Sequence, residues 1–319
     1  MKSILIIGIG NIGFRHFQSF IQSDIKYCIS ILDTSKDCLE KAVSVFNKGN
    51  YKDNLKTYSS FKDIEKKYDL AIIATNADVR YTILKNLQKH CDLKYVIFEK
   101  FLFLTEVDYQ NASNLMRSSG SKGWVNCNRR SWHIYKQLKV NLNKEKIYFI
   151  SITGNNWGLL CNSIHFLDLF CWLLKSSSFE FDFSFVHKKF YKAKRKNNFE
   201  LYGSIIGRIG DTKILINCED ILEKSFEIKI HTVNKKITIN EKEKWVVTHG
   251  SKNTEMFSSI HIPTVSELTE KFFQEIIEFE NCSLPTFEES SKIHLKFLKQ
   301  ILNGTKNFKG LINKKLIFT

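Results

Sequence analysis

The chain of 319 residues has only two prolines, Pro263 and Pro285, and no low-complexity linker or internal repeat. No apolar run approaches the roughly 20 residues that a membrane-spanning helix needs, so a soluble protein without a membrane partner is expected. The eight cysteines, Cys28, Cys38, Cys91, Cys127, Cys161, Cys171, Cys218 and Cys282, stand singly, and the absence of any CxxC pair excludes the common zinc and redox motifs. Buried free thiols in a reducing cytoplasm account for them, and no metal site is expected. Acidic residues are the minority charge: 33 Asp+Glu face 48 Lys+Arg, a net charge of +15. Such a balance suits a polyanion or an anionic small substrate. The basic residues are scattered, however, and the richness in Lys, Asn, Ile and Phe follows biased codon usage, so no nucleic-acid partner is expected. The one dense cluster, His187 to Lys196 (HKKFYKAKRK), reads as a solvated loop or edge strand, with contact to substrate phosphates as the alternative.

Hydrophobic residues at 43% and charged residues at 25% are globular values, and a chain of this length divides into two domains. Met1 to Ile9 runs straight into Gly8, Gly10 and Gly13 and reads as a first buried strand rather than a secretion signal. A strand at Ser3–Ile7, a helix at Asn11–Ile21 and a strand at Tyr27–Leu32 ending at Asp33 form a βαβ unit. The alternation continues with helices around 37–46 and 60–67, a strand at 70–74, a helix at 79–90 and a strand at 94–98. This implies a parallel, doubly wound sheet over residues 1–123. Beyond Gly123 the grammar changes: a strand at 124–128, a helix at 132–142, a strand at 146–153 and an apolar helix at 163–174. Successive β segments then fill 179–247, and helices at 265–279 and 288–302 close the chain. Residues 124–319 are expected to form an α+β domain with a largely antiparallel, open-faced sheet.

Gly8-Ile9-Gly10-Asn11-Ile12-Gly13 is a GxGxxG between a strand and a helix, the context in which its glycines admit a pyrophosphate to a helix N-terminus. Asp33 lies 20 residues after Gly13, where a carboxylate accepts hydrogen bonds from an adenosine ribose and repels a 2′-phosphate. NAD is the expected cofactor, with NADP the alternative that nearby Lys36 leaves open. Glu99-Lys100 follows a buried run directly, and ligands of doubly wound sheets bind beyond the carboxyl ends of the strands. An ordinary polar strand end would look the same. In LLCNSIHFLDLFCWLL, the spacing of His165 and Asp168 puts both on one helical face, where the carboxylate can orient the imidazole; Asn162 lies on the same flank. A lone His in an apolar helix is commonly a satisfied core residue, whereas three polar groups together point to a site.

GIGNIGFRH (8–16), AIIATNADVRYTIL (71–84), VIFEKFLF (96–103), NRRSWHIYKQLK (128–139) and WGLLCNSIHFLDLFCWL (157–173) together resemble the Gfo/Idh/MocA oxidoreductases in order and spacing over nearly the whole chain. The resemblance implies a Rossmann domain paired with an α/β domain whose open sheet often forms the oligomer interface, hence a homodimer or homotetramer. It implies NAD or NADP as cofactor, with Thr75, Asn76 and Glu99 joining the glycine loop and Asp33 around it, and a sugar, inositol or nucleotide-linked sugar as substrate. It assigns Lys100 to the catalytic lysine of the family's Glu-Lys-Pro motif and His165 to its catalytic histidine. Arg129, Arg130, Asn155, Asn156, Trp157 and Asn162 are the candidates for lining the substrate site; for the two arginines a surface salt bridge is the alternative. The family's proline falls on Phe101, and Cys161 stands where an aspartate often precedes the histidine by four residues, which leaves Asp168 or Asn162 to orient the imidazole. The implied activity is hydride transfer between nicotinamide and a carbinol or carbonyl carbon. The basic content tilts the substrate toward an anionic, nucleotide-linked sugar of surface-polysaccharide synthesis. A dinucleotide-binding sensor or regulator that kept the fold and lost the reaction is the second reading.

Overall fold

A computed structural model describes residues 1–49, 51, 54–193, 198–223, 225–250 and 255–309. The chain divides into two compact units, Met1–Asn126 with Pro263–Lys292, and Cys127–Ile262 with Ile293–Thr319.

In the first unit, β1 (Lys2–Ile7), α1 (Asn11–Ile21), β2 (Tyr27–Leu32), α2 (Lys36–Lys48), β3 (Asn54–Tyr58), β4 (Lys67–Ile73), α3 (Ala77–His90), β5 (Asp92–Phe98), α4 (Glu106–Ser119) and β6 (Lys122–Val125) alternate along the chain. The six strands form one sheet in the order β3-β2-β1-β4-β5-β6, parallel at every pairing. Its inner strands are buried over whole runs, Ile4–Ile7 and Leu70–Ile73 among them, as a sheet covered on both faces requires. The doubly wound parallel sheet expected for residues 1–123 is thus present.

Two details of the first unit differ from the expected elements. No helix forms at 60–67. Ser60 closes a single turn by accepting from Asp63 N–H, and Ile64 is the lone buried residue there, too little apolar surface to hold an amphipathic helix. The preceding strand β3 is an edge strand with no buried residue, so it leaves no hydrophobic alternation to read. α4, to which no element was assigned, is delimited by local chemistry: Thr105 accepts from Asp108 N–H at its start and Gly120 closes it at φ 68°.

The second unit contains a 3-10 turn at Asn128–Ser131, then α5 (His133–Asn141), β7 (Ile147–Gly154), α6 (Leu159–Leu174), β8 (Phe179–Asp182), β9 (Tyr191–Lys192) and β10 (Phe199–Glu200). There follow β11 (Gly203–Ile209), β12 (Thr212–Cys218), β13 (Phe226–Thr232), β14 (Lys235–Asn240), β15 (Trp245–Gly250) and β16 (Glu255–Ser259). Eight strands make one sheet in the order β16-β15-β14-β13-β7-β12-β11-β8, antiparallel except where β12 lies parallel to β7. Alternate residues Ile228, Ile230, Ile214, Ile216, Ile150 and Ile152 are buried, while Lys229, His231, Leu215 and Phe149 on the other face are half-exposed. Of the basic cluster at 187–196, His187 meets the Tyr191 hydroxyl through Nδ1 at 2.8 Å; residues 194–196 lie outside the described residues.

α7 (Val265–Phe279) and the start of α8 (Phe287–Gly304), expected with residues 124–319, count with the first unit. The reason is packing. α7 opens with a Thr264–Glu267 capping box and lays Phe273 against Phe20 and Tyr27, with ring centroids 6.0 and 6.1 Å apart. Ser19 Oγ accepts from Glu270 N–H at 2.9 Å, and Tyr27 donates to Glu270 Oε1 at 2.6 Å. Pro285 accepts from Val125 N–H, which occupies the free edge of β6. All eight cysteines are free thiols, and among the described residues no helix is long and apolar enough to cross a membrane.

Phe273→Ala removes a fully buried ring and should lower the unfolding free energy by about 3–5 kcal/mol. Denaturant titration measures it; a loss below roughly 1 kcal/mol would show that α7 does not share this core.

Candidate active site

In the first unit the carboxyl ends of four neighbouring strands bring the expected cofactor residues to one edge of the sheet: Gly8–Gly13 after β1, Asp33 after β2, Ala74–Asn76 after β4 and Glu99–Lys100 after β5. Gly8 has φ +84°, a left-handed conformation that L side chains rarely adopt. A Cβ on Gly13 would lie 1.8 Å from the Gly8 carbonyl oxygen, whereas one on Gly10 would meet nothing within 4 Å. Two glycines therefore close the turn and the third leaves open space beside it. α1 starts there with no side-chain cap and no acidic residue in its first turn, so its positive end is left for an anion. Asp33 Oδ2 accepts from Ile9 N–H at 2.7 Å and Oδ1 from Ser35 N–H at 2.8 Å, which locks a half-exposed carboxylate beside the loop. Thr75 Oγ1 is buried without a hydrogen-bond partner among the described residues, an atom whose valence a ligand can satisfy. These features fit a dinucleotide: open space for a pyrophosphate, a carboxylate for a ribose on the β2 side of it and a donor-acceptor hydroxyl on the β4 side.

Glu99 and Lys100 part company. Glu99 is buried and its Oε1 receives His16 Nε2 at 3.0 Å and Asn126 Nδ2 at 2.5 Å, so it is turned into the unit instead of toward the cofactor edge. The other ring nitrogen of His16 meets Thr269 Oγ1 at 2.7 Å, which ties β5, α1 and α7 together. Lys100 is half-exposed, and it is the sole residue of the run 95–104 that is not buried. The Lys100–Phe101 peptide is cis, at the position of the family's proline.

In the second unit α6 begins a turn earlier than expected, because Glu200 takes its first amides: Oε2 accepts from Leu160 N–H and Oε1 from Cys161 N–H, each at 2.8 Å. Along α6 the half-exposed residues of the first two turns are Cys161, Asn162 and His165, so these three share one open flank. Asn162 donates to the Trp157 carbonyl at 2.6 Å. Asp168 is fully buried and receives a bidentate pair from Arg130, Nε to Oδ2 at 2.7 Å and Nη2 to Oδ1 at 2.6 Å. Its carboxylate thus anchors the Asn128–Ser131 turn to α6.

The arginines are placed differently from either expectation. Arg130 is buried in that ion pair, and Arg129 pairs with Glu241 through Nε at 2.9 Å and Nη2 at 2.7 Å, lying 4.1 Å from the Phe166 ring centroid. Neither is a surface salt bridge, since each guanidinium is withdrawn from water and must be matched by a carboxylate. Burial alone would lower the Arg129 pKa, but Glu241 raises it, while burial and Glu241 push the Tyr135 hydroxyl well up. Asn155 donates to the Glu223 carbonyl and Asn156, at φ 50°, to that of Ile221, so both amides hold a turn. Trp157 is a packing residue, edge-on to Phe166 at 5.6 Å with its Nε1 donated to the Asn217 carbonyl. Two residues escaped the sequence reading. Glu200 sits among apolar neighbours and offers no signal. Arg80 does: with Ala77, Leu84 and Leu87 it falls on the buried stripe of α3, where a charge marks a partnered group.

The Glu99 carboxyl lies below the ordinary range. Burial by itself would raise it, and the His16 and Asn126 hydrogen bonds with the Lys100 charge outweigh that burial. A depressed folded pKa means that the unfolded chain takes up the proton first as pH falls. The stabilisation is therefore whole above about pH 4.3 and is lost as pH drops through the folded value. Urea midpoints between pH 6 and 3 should fall more steeply in the wild type than in Glu99→Gln; equal slopes would remove this carboxylate from the acid response.

Residues 2–127 match the family model described as "Oxidoreductase family, NAD-binding Rossmann fold", of the Gfo/Idh/MocA group. No curated protein sequence matches significantly. Among solved structures, the fold is similar to UDP-N-acetylglucosamine 3-dehydrogenase GnnA from Acidithiobacillus ferrooxidans, with TM-score 0.75 and 10% identity over 96% of this chain and 98% of that one. It is also similar to an oxidoreductase from Agrobacterium radiobacter in complex with NAD+, L-tartaric acid and magnesium, with TM-score 0.74, 12% identity and 96% of each chain covered. Gal80p from Saccharomyces cerevisiae matches at TM-score 0.73 and 12% identity, again over 96% of each chain.

Proposed function

We propose that this chain, whose residues 2–127 match the Gfo/Idh/MocA family of NAD-binding oxidoreductases, transfers a hydride between nicotinamide and the carbinol or carbonyl carbon of a sugar or nucleotide-linked sugar. The observation that carries this reading is the exposure of Lys100, a half-exposed residue just beyond the carboxyl end of β5 in a run of otherwise buried residues. A cation held at that edge, on the strand next but one to the glycine loop, suits an oxygen that gains negative charge.

A bound nicotinamide supplies the hydride donor or acceptor. Gly8, Gly10 and Gly13, with the Asn11 and Ile12 amides, would hold its pyrophosphate, Asp33 its adenosine ribose, and Thr75 with Asn76 the stretch toward the reacting ring. Lys100 hydrogen-bonds the substrate oxygen through Nζ and stabilises the charge that develops on it. His165 takes the hydroxyl proton in oxidation and returns it in reduction. Asn162, on the same flank of α6, contacts the substrate, while Asp168 and Arg130 act through the position of α6. The net charge of +15 and the fold shared with a dehydrogenase named for UDP-N-acetylglucosamine support an anionic, nucleotide-linked substrate. Asp33 supports NAD over NADP, since Lys36 beside it is drawn to Glu40 at 3.4 Å. The open face of the second sheet, where Ile206 is in register with Leu215, supports a homodimer or homotetramer.

A second reading is favoured by the comparable likeness to Gal80p, a transcriptional regulator in Kluyveromyces lactis, and by Cys161 on the flank of His165: a dinucleotide-binding regulator without turnover. Absorbance at the reduced-nicotinamide band with a panel of sugars and nucleotide sugars separates the two, because a regulator binds the dinucleotide and leaves it unreduced.

With a turned-over substrate in hand, Lys100→Met and His165→Ala should each lower kcat by about 10²–10⁴-fold. Cofactor affinity should stay near the wild-type value, and a parallel loss of both would contradict the assigned roles. Asp33→Ala should improve NADP relative to NAD by about tenfold, roughly 1.4 kcal/mol of relieved repulsion. Calorimetric titration with each dinucleotide measures the ratio, and an unchanged ratio would turn the carboxylate away from the ribose.

A further inference from the structure

We infer that Arg80 is a positioning residue for Lys100, clamping the segment that carries this lysine to the end of the neighbouring strand. Arg80 is 1% exposed and lies on the apolar stripe of α3. Its guanidinium is met by main-chain carbonyls: Nη1 donates to Phe101 O and to Leu102 O, the latter at 3.0 Å, and Nη2 donates to Thr75 O. Burying a guanidinium costs desolvation that an apolar side chain on this stripe would avoid, so its position asks for a task that an apolar side chain cannot do.

The task follows from where the sheet stops. The ladder holding β5 to β4 continues through Glu99 N–H to Ile73 O at 3.1 Å, and Phe98 O accepts from Asn126 N–H at 2.8 Å. Beyond Glu99 the chain leaves the ladder, and it does so at the residue that presents the ammonium. On one side of Lys100, Glu99 is pinned by His16 and Asn126. On the other, the carbonyls of Phe101 and Leu102 are taken by Arg80, while Phe101, Leu102 and Phe103 are buried. Lys100 is thus bracketed, and the third hydrogen bond, to Thr75 O, references the bracket to the strand end beside the glycine loop. Only a planar fork with several donors spans two chain segments at once; the single nitrogen of lysine does not.

The kinetic part of this inference rests on the reaction proposed above, and the exchange part does not. Arg80→Lys and Arg80→Ala, made in the full chain, are compared with Leu84→Ala, which removes packing on the same buried face of α3 and touches none of these carbonyls. In the protein without cofactor, amides 101–104 should exchange with deuterium about tenfold or more faster in both Arg80 variants and no faster in Leu84→Ala. In turnover, Arg80→Lys should lose about 10- to 100-fold in kcat with KM for NAD within about threefold. Added guanidinium ion should restore part of the turnover of Arg80→Ala and none of that of Arg80→Lys, where the side chain still fills the space. Unchanged exchange at 101–104, or equal losses in Leu84→Ala, would overturn the inference. Faster exchange in the Arg80 variants of a chain that turns over no sugar would uphold the clamp and defeat the proposed reaction.

Discussion

One close approach between two backbone segments governs the first unit. The Gly8 carbonyl oxygen stands where a Cβ of residue 13 would be, so α1 can descend onto the turn after β1 only because that residue is glycine. From this contact the remaining geometry propagates. α1 presents His16 to Glu99, Ser19 to the backbone of α7, and Phe20 to Phe273, and thereby draws residues from the far end of the sequence into the N-terminal core. The same approach leaves the start of α1 open beside Gly10, where an anionic group meets amides rather than side chains.

Buried polar groups around the candidate residues follow a common pattern. Glu99 is held by His16 and Asn126, Asp168 by Arg130, and Glu241 by Arg129 and Tyr135, while Glu200 takes the first amides of α6. None is evidence of large net stabilisation, because desolvation offsets most of the attraction in a buried pair. Their value is geometric: a buried charge has few positions in which its hydrogen bonds are satisfied, so each fixes a segment. In the first unit the fixed segments flank Lys100; in the second they set the turn and the helix start that flank His165.

Several sequence readings succeeded or failed for identifiable reasons. The strands β1, β2, β4 and β5 were legible as continuous apolar runs, and the helix expected at 265–279 has those bounds in the structure. β3 was not, since an edge strand without buried residues leaves no alternation. The helix expected at 60–67 has only Ile64 to bury. Arg129, Arg130 and Trp157 have residue types that serve equally in a substrate site or in a core, and which of the two holds depends on Glu241, Asp168 and Asn217, all distant along the chain.

The amino-acid sequence by itself determined what depends on neighbours in the chain: the GxGxxG turn, the strand ending at Asp33, the exit from β5 at Lys100 and the amphipathic α6 with its polar flank. Tertiary structure alone decided what depends on partners far along the chain. It turned Glu99 inward onto His16 and left Lys100 outward, committed Asp168 to Arg130, and gave Arg80 the carbonyls of another loop. The division is physical, since backbone periodicity and turn chemistry are short-ranged, whereas the satisfaction of a buried charge is settled only when distant segments are packed against it.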